Sequence, residues 1–165
     1  MALAHRSTAA PDPAPDHNSS MVARRQWAMA LCADAERSDL KAVLSILQDQ
    51  GSVEDLRRPE TGLVMVRGRM GGDGAPFNFG EATVTRAVVR LESGEVGFAY
   101  QLGRDAQKAR MAATIDALLQ NPRHGREVEK TLKSVEGRLA GNRSVRERRT
   151  AATRVNFFTM VRGED

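Results

Sequence analysis

The stretch that decides the fold runs Glu81-Ala82-Thr83-Val84-Thr85-Arg86-Ala87-Val88-Val89-Arg90-Leu91, then Glu92-Ser93-Gly94-Glu95, then Val96-Gly97-Phe98-Ala99-Tyr100-Gln101-Leu102. The first part is rich in β-branched residues and reads as a strand. Ser93-Gly94 supplies a two-residue turn, and the last part returns antiparallel as a hairpin. Upstream, Leu63–Arg69 alternates in the manner of a strand. Leu63, Met65, Arg67 and Arg69 take one face; Val64, Val66 and Gly68 take the other. Pro59 disfavours helix at Arg58 and opens this segment. A glycine-rich link, Met70–Gly80, joins the two strands.

Helices flank this β centre. Trp27, Leu31 and Ala35 recur at four-residue spacing in a helix starting near Met21. Ser38 or Asp39 caps a second helix, with Leu40, Val43, Leu44 and Leu47 on one face and Gly51 at its end. After the hairpin, Asp105 caps a third helix. Met111, Ile115, Leu118 and Leu119 form its apolar face, and Pro122 stops it. In 123–137, Val128, Leu132, Val135 and Leu139 are at helical spacing, while Leu132–Val135 also suits a short strand. Arg138–Arg154 reads as an exposed or partner-facing helix. Val155–Val161 is apolar and short, either a closing core strand or an arm inserted into a neighbour. The expected fold class is α+β. It has a mostly antiparallel sheet of three to five strands, N-terminal helices, and helices after the central hairpin. Residues 1–20, rich in Ala, Pro, Ser and Asp, are expected to be a disordered tail, and 21–165 a single domain.

Composition narrows the function classes. The chain has 165 residues, a formal net charge of +4 and one cysteine. No apolar run is long enough to span a membrane, and the N-terminus lacks a secretory apolar core. A single thiol fits a reducing compartment, so a cytoplasmic location is expected. Cys32 lies in the apolar run Ala28–Ala33 and reads as a buried structural thiol. Lysine occurs only at Lys41, Lys108, Lys130 and Lys133, so the basic charge is mostly arginine. Aromatic content is only 4%, too little for a base-stacking surface on the charged face, so nucleic acid is not expected as a partner. His5, His17 and His124 are scattered, and no metal site is expected.

The most distinctive stretch for chemistry is Arg67-Gly68-Arg69-Met70-Gly71-Gly72-Asp73-Gly74. Two arginines leave a strand on one face, and the glycines free the loop to point its N–H groups at an anion. Arg86 ends the motif after Glu81, Thr83 and Thr85, and Arg104 follows the third strand. If the strands are neighbours, Arg67, Arg69, Gly71, Gly72, Arg86 and Arg104 could surround a phosphate group. The alternative is that the arginines pair with Glu60, Glu81, Glu92 or a partner's carboxylates. The loop does not fit G-x-x-x-x-G-K-[ST], nor does a helix follow it, so a stand-alone ATPase is not indicated. Glu81 is a candidate general base, set against the plainer reading of a strand-end carboxylate.

These residues carry a resemblance. Glu60–Gly72 with Pro76–Arg86 is similar to the first signature of the PhnG family, a component of the phosphonate carbon–phosphorus (C–P) lyase system. Tyr100–Asp105 resembles its second signature and Val155–Gly163 its third. The likeness runs from about Arg24 to Glu164 and is poorest in 1–20 and 123–150. It implies a protein that assembles with core subunits H, I and J in a two-fold symmetric complex with two copies of each. With H, I and the ATPase-like protein L, such a protein acts in displacing adenine from ATP by methylphosphonate. The product is α-D-ribose 1-methylphosphonate 5-triphosphate. ATP is then a substrate of the complex, with no cofactor held by this chain alone. The resemblance carries no catalytic residue onto this sequence, and the cluster chemistry of C–P cleavage belongs to the J component. Phe157, Phe158 and Met160 are the expected interface residues. A free-standing anion-binding or regulatory module is the alternative reading.

Overall fold

A computed structural model describes residues 17–46, 51–71 and 73–153. In chain order the elements are α1 (His17–Asp34), α2 (Arg37–Ile46), β1 (Val53–Arg69), β2 (Pro76–Leu91), β3 (Val96–Leu102), α3 (Ala106–Gln120) and α4 (Gly125–Ala152). The three strands form one antiparallel sheet in the order β1-β2-β3, and the fold is α+β.

The β2–β3 hairpin is present, with a turn one residue longer than expected. Leu91 N–H donates to the Glu95 carbonyl at 2.9 Å, and Gly94 N–H donates to the Leu91 carbonyl at 2.9 Å. The loop is therefore Glu92-Ser93-Gly94. Gly94 has φ +103°, which a residue with a Cβ rarely adopts, as three-residue hairpin loops require.

Alternation sorts the hairpin into two faces. Thr85, Ala87, Val89 and Leu91 of β2, with Gly97, Ala99 and Gln101 of β3, are buried. Helix α3 packs on this face with a row of small residues, Ala109, Ala112, Ala113 and Ala117. Close approach is possible because Gly97 lacks a side chain: a Cβ there would lie 2.0 Å from the Ala113 carbonyl oxygen. Asp105 caps α3 as expected, accepting from Lys108 N–H at 2.9 Å. Asp116, on α3, accepts both Arg25 nitrogens of α1 (2.9 and 2.7 Å) and Phe98 N–H of β3 (2.9 Å). One buried carboxylate thus ties three elements together. The Arg25 guanidinium is held charged above its ordinary range, first by this hydrogen bond.

Helices α1, α2 and α4 cover the far side of α3. Ala28, Cys32, Leu40, Val43, Ile115, Leu118, Val128 and Leu132 close the core. Cys32 is fully buried, and burial pushes its thiol up to about 12. The stretch 123–137 is helical from Gly125 onward, because Val128, Leu132 and Val135 all bury on the α1–α3 layer. It continues without a break into the exposed arginine-rich helix.

Four boundaries differ from the sequence reading, the first being that β2 begins at Pro76, within the stretch read as a link, because β1 pairs with it. Helix α1 begins at His17, inside the segment read as tail; residues 1–16 lie outside the described residues. Helix α2 starts at Arg37, and Asp39 in its first turn reaches back to accept Glu36 N–H at 2.9 Å. Strand β1 begins at Val53, and Pro59 sits within it. β1 is an edge strand, and the register shifts between Arg57 and Glu60, so the missing proline N–H breaks no ladder bond. The strand read as Val155–Val161 lies outside the described residues.

Candidate functional site

The β1–β2 pair outgrows the rest of the sheet. β3 ends at Leu102, opposite Val84, and Gly103 N–H makes a last bond to the Thr83 carbonyl. Past that level β2 continues through Pro76–Ala82 with only β1 beside it. Those seven residues reach about 23 Å at roughly 3.3 Å per residue. The ribbon is exposed on both faces. Leu63 and Met65, paired with Thr83 and Glu81, share the face of buried Thr85 and so point to the helix side. Val64 and Val66 point the other way. Leu63 is 62% exposed and Phe79 76%. A register shift between Val66 and Arg67 leaves Phe79 as the extra residue of β2, and its ring meets Phe77 edge-on at 6.4 Å.

The signature loop closes this ribbon. Gly74 N–H donates to the Met70 carbonyl at 3.1 Å, and a Cβ on Gly74 would fall 2.5 Å from that oxygen, so glycine is required there. Gly71 has φ +65°. Gly72 lies outside the described residues. Arg69 donates to the Gly74 carbonyl at 3.2 Å, bracing the loop from inside. The Arg67 side chain has no hydrogen-bond or ion-pair partner among the described residues. Arg67, Gly68, Arg69 and Pro76 line a shallow depression.

The other expected phosphate ligands lie elsewhere. Arg86 is eight residues down β2 from Asn78, the residue opposite Arg67, or about 26 Å at strand spacing. It is on the outer face, where it bonds Glu60 at 2.6 Å; Glu60 also holds Arg57 at 3.2 Å. The Glu60 bond, followed by one to the Tyr100 hydroxyl, pushes the Arg86 pKa further up. Arg90 faces Glu54 at 3.7 Å. Arg104 is exposed beside the start of α3. The sheet therefore brings Arg67 and Arg69 together and keeps Arg86 and Arg104 away from them. Pairing with Glu60 was the plainer expectation for Arg86, and the geometry has that pair.

Glu81 is exposed and has no hydrogen-bond or ion-pair partner among the described residues. Thr85 is buried instead, donating to the Gly103 carbonyl at 2.7 Å and lying 3.2 Å from the Thr61 hydroxyl. Phe157, Phe158 and Met160 lie outside the described residues. Sequence reading missed two exposed features. The outer face of β3 presents Phe98, Tyr100 and Leu102 uncovered. The apolar β1 residues Leu63 and Met65, assigned a face by alternation, project beyond the body where no helix covers them. Their signal was the length of the β1 pattern against the shortness of β3.

This is an α+β domain that presents a glycine-tipped, arginine-bearing ribbon outside its own core, a form suited to joining other chains. The family described as "Phosphonate metabolism protein PhnG" matches residues 23–163, and the chain belongs to it. A curated relative from Rhizobium meliloti (strain 1021), the alpha-D-ribose 1-methylphosphonate 5-triphosphate synthase subunit PhnG, is 49% identical over 154 residues. The match covers 93% of this chain and 99% of the relative.

Proposed function

We propose that this chain is a supporting subunit of an α-D-ribose 1-methylphosphonate 5-triphosphate synthase in phosphonate breakdown, acting in the cytoplasm. Its partners are the H, I and J core subunits and the ATPase-like L protein, two copies of each core subunit being related by a two-fold axis. With H, I and L it serves the displacement of adenine from ATP by methylphosphonate. The near full-length identity to a synthase subunit carries this reading. The uncovered ribbon supports it, because a lone two-stranded ribbon is marginal in water and gains stability when a partner covers it. Arg67 and Arg69 are the chain's candidates for contact with the triphosphate. A supporting role fits better than a catalytic one, since the Glu81 side chain has no hydrogen-bond or ion-pair partner among the described residues to act with.

The free-standing anion-binding alternative has less to stand on, because Arg86 and Arg90 are already engaged with Glu60 and Glu54. The test is reconstitution. The chain alone should release no adenine from ATP and methylphosphonate. Adding it to the other synthase subunits should restore release, and an R67A/R69A variant should assemble but raise the KM for ATP by about tenfold, the loss of one charge-assisted contact. A monomer with no affinity for the other subunits refutes the subunit reading. An unchanged KM makes both arginines structural.

A further inference from the structure

Two elements leave the body from the same end. Helix α3 is capped by Asp105, two residues after the last β2–β3 bond, and ends beside the β2–β3 turn. There Gln120 donates to the Val96 carbonyl and Asn121 to Ser93 and Glu95. Helix α4 starts at that turn end and runs back. Arg24 meets its Glu129, Trp27 its Glu136 and Asp34 its Arg143, so α1 lies parallel to it. Arg138 pairs with Asp39 at the start of α2, and Arg37 pairs with Asp105 at the start of α3. Arg143 is therefore level with the top of the body. Beyond it Ser144–Ala152 continues for nine residues, about 14 Å at 1.5 Å per residue. The ribbon projects past the same level from the other side of α3.

Among the described residues no element fills the α3 layer between these projections. Helix α4 packs on α1, α2 and α3, with α3 between it and the sheet. At ordinary packing distances of about 10 Å per layer, the plane of the sheet and the α4 axis would lie about two layers apart, leaving room for one helix. Its walls differ in chemistry. The ribbon wall carries Leu63 (62% exposed) and Met65 (52%) near the base, with Arg67 and Arg69 further out. On the opposite wall every residue from Gly141 to Thr153 is exposed, and Arg146, Arg148 and Arg149 have no carboxylate partner among the described residues.

We propose that the β1–β2 ribbon and the end of α4 are two jaws of one clamp. The clamp takes a single amphipathic helix of a protein partner, its apolar side on Leu63 and Met65 and its acidic side on Arg146, Arg148 and Arg149. The inference rests on the subunit reading and deepens it, since the partner is one of the other synthase subunits. Charge complementarity selects an acidic surface, and the apolar wall selects protein over nucleic acid, whose phosphates would gain nothing from Leu63 and Met65. Arg67 and Arg69, at the mouth, remain able to reach a triphosphate carried by the clamped subunit.

The test measures binding of the full chain to the purified remainder of the synthase, in surface interferometry over a salt series. R146E/R149E should weaken binding by about thirtyfold and flatten its salt dependence, because like charges then face across the slot. L63T/M65T should weaken it by about tenfold with the salt dependence kept, as expected for lost apolar burial. R123E/R126E, at the opposite end of α4, should stay within about threefold, the range of a remote charge. All substituted side chains are solvent-facing or nearly so, and circular dichroism checks that each variant folds. Wild-type affinity in both jaw variants overturns the clamp while leaving the subunit reading intact, as does an equal loss in the control. Failure of the wild-type chain to bind the remainder overturns both. A single-stranded RNA probe that binds the chain more tightly than the subunits do, and is released by R146E/R149E, also overturns the protein-partner assignment.

Discussion

Asp116 is the joint on which the geometry of the body depends, and its removal has a calculable cost. Its side chain is 2% exposed and that of Arg25 31%. Replacing Asp116 with alanine leaves a guanidinium one-third exposed without its two-pronged partner, and leaves Phe98 N–H without an acceptor. Breaking a buried pair from one side costs roughly 3–5 kcal/mol; the partial exposure of Arg25 places this case near the lower end, about 3 kcal/mol. Arg25→Met should cost about as much, because the buried carboxylate then keeps only the Phe98 N–H. The double variant removes both charges, and only the unpaired N–H and a small cavity remain, about 2 kcal/mol. The two single costs together far exceed the double, a coupling of roughly 4 kcal/mol in a double-mutant cycle. Urea unfolding followed by circular dichroism reads these numbers, and thermal melts should show each single variant lower by about 6–12 °C. Additive costs, or an Asp116→Ala loss under about 1 kcal/mol, would refute the assignment of this carboxylate as the tie between α1, α3 and β3.

Two further outcomes follow from the packing. Gly97→Ala sets a Cβ against the Ala113 carbonyl oxygen and, at 2.6 Å, the Ala117 nitrogen. Both are backbone atoms of a helix, so α3 must lift as a unit. A loss of about 3 kcal/mol in urea unfolding is expected, against little change for Gly62→Ala, where nothing lies within 4 Å; equal stability of the two variants contradicts the close approach. Cys32 should resist thiol reagents at pH 8 in the folded chain and react readily once urea unfolds it. Its pKa is raised from 9.0 to about 12, chiefly by burial, with Lys108 opposing. Because the folded value is the higher one, the associated stability is complete below about pH 9 and is lost as pH rises toward 12. That loss is at most about 4 kcal/mol and should be absent from a Cys32→Ala variant.

Much of the fold was legible because local rules and tertiary packing agreed. The β2–β3 hairpin, the Asp105 cap and the Ile115–Leu119 face each combine propensity with periodicity, and each is found where the pattern put it. The misreadings occurred where context overrode a local rule. Pro59 reads as a boundary on its own, yet an edge strand with a register shift accommodates it. Pro76–Gly80 reads as loop because it continues the glycine-rich link from Met70 and is bounded by proline and glycine, yet pairing with β1 makes it strand. The candidate site was legible in kind and not in arrangement. Alternation correctly put Arg67 and Arg69 on one face, but the sequence does not show the β1–β2 register that sets how far Arg86 lies from them. That register pairs Arg86 with Glu60, on the outer face and about 26 Å from Asn78.

The location of the signature constrains what it is for. Residues 60–83 supply none of the buried apolar core, which draws instead on β2 from Val84 onward, on β3 and on the four helices. The apolar residues Leu63, Val64, Met65, Val66, Phe77 and Phe79 of this stretch would be expected to specify a core if their purpose were to hold this chain together. Here the same residue types are spread along both faces of a ribbon in water, beyond the end of every helix except α4. The required glycine at position 74 and the Arg69 bond brace the described part of that ribbon's tip. A shaped, apolar, uncovered projection adds little stability to the isolated chain and considerable contact area to an assembly. On the clamp proposed above, the signature is half of an interface whose other half lies on another subunit, and the arginine-bearing end of α4 marks the side from which that subunit approaches.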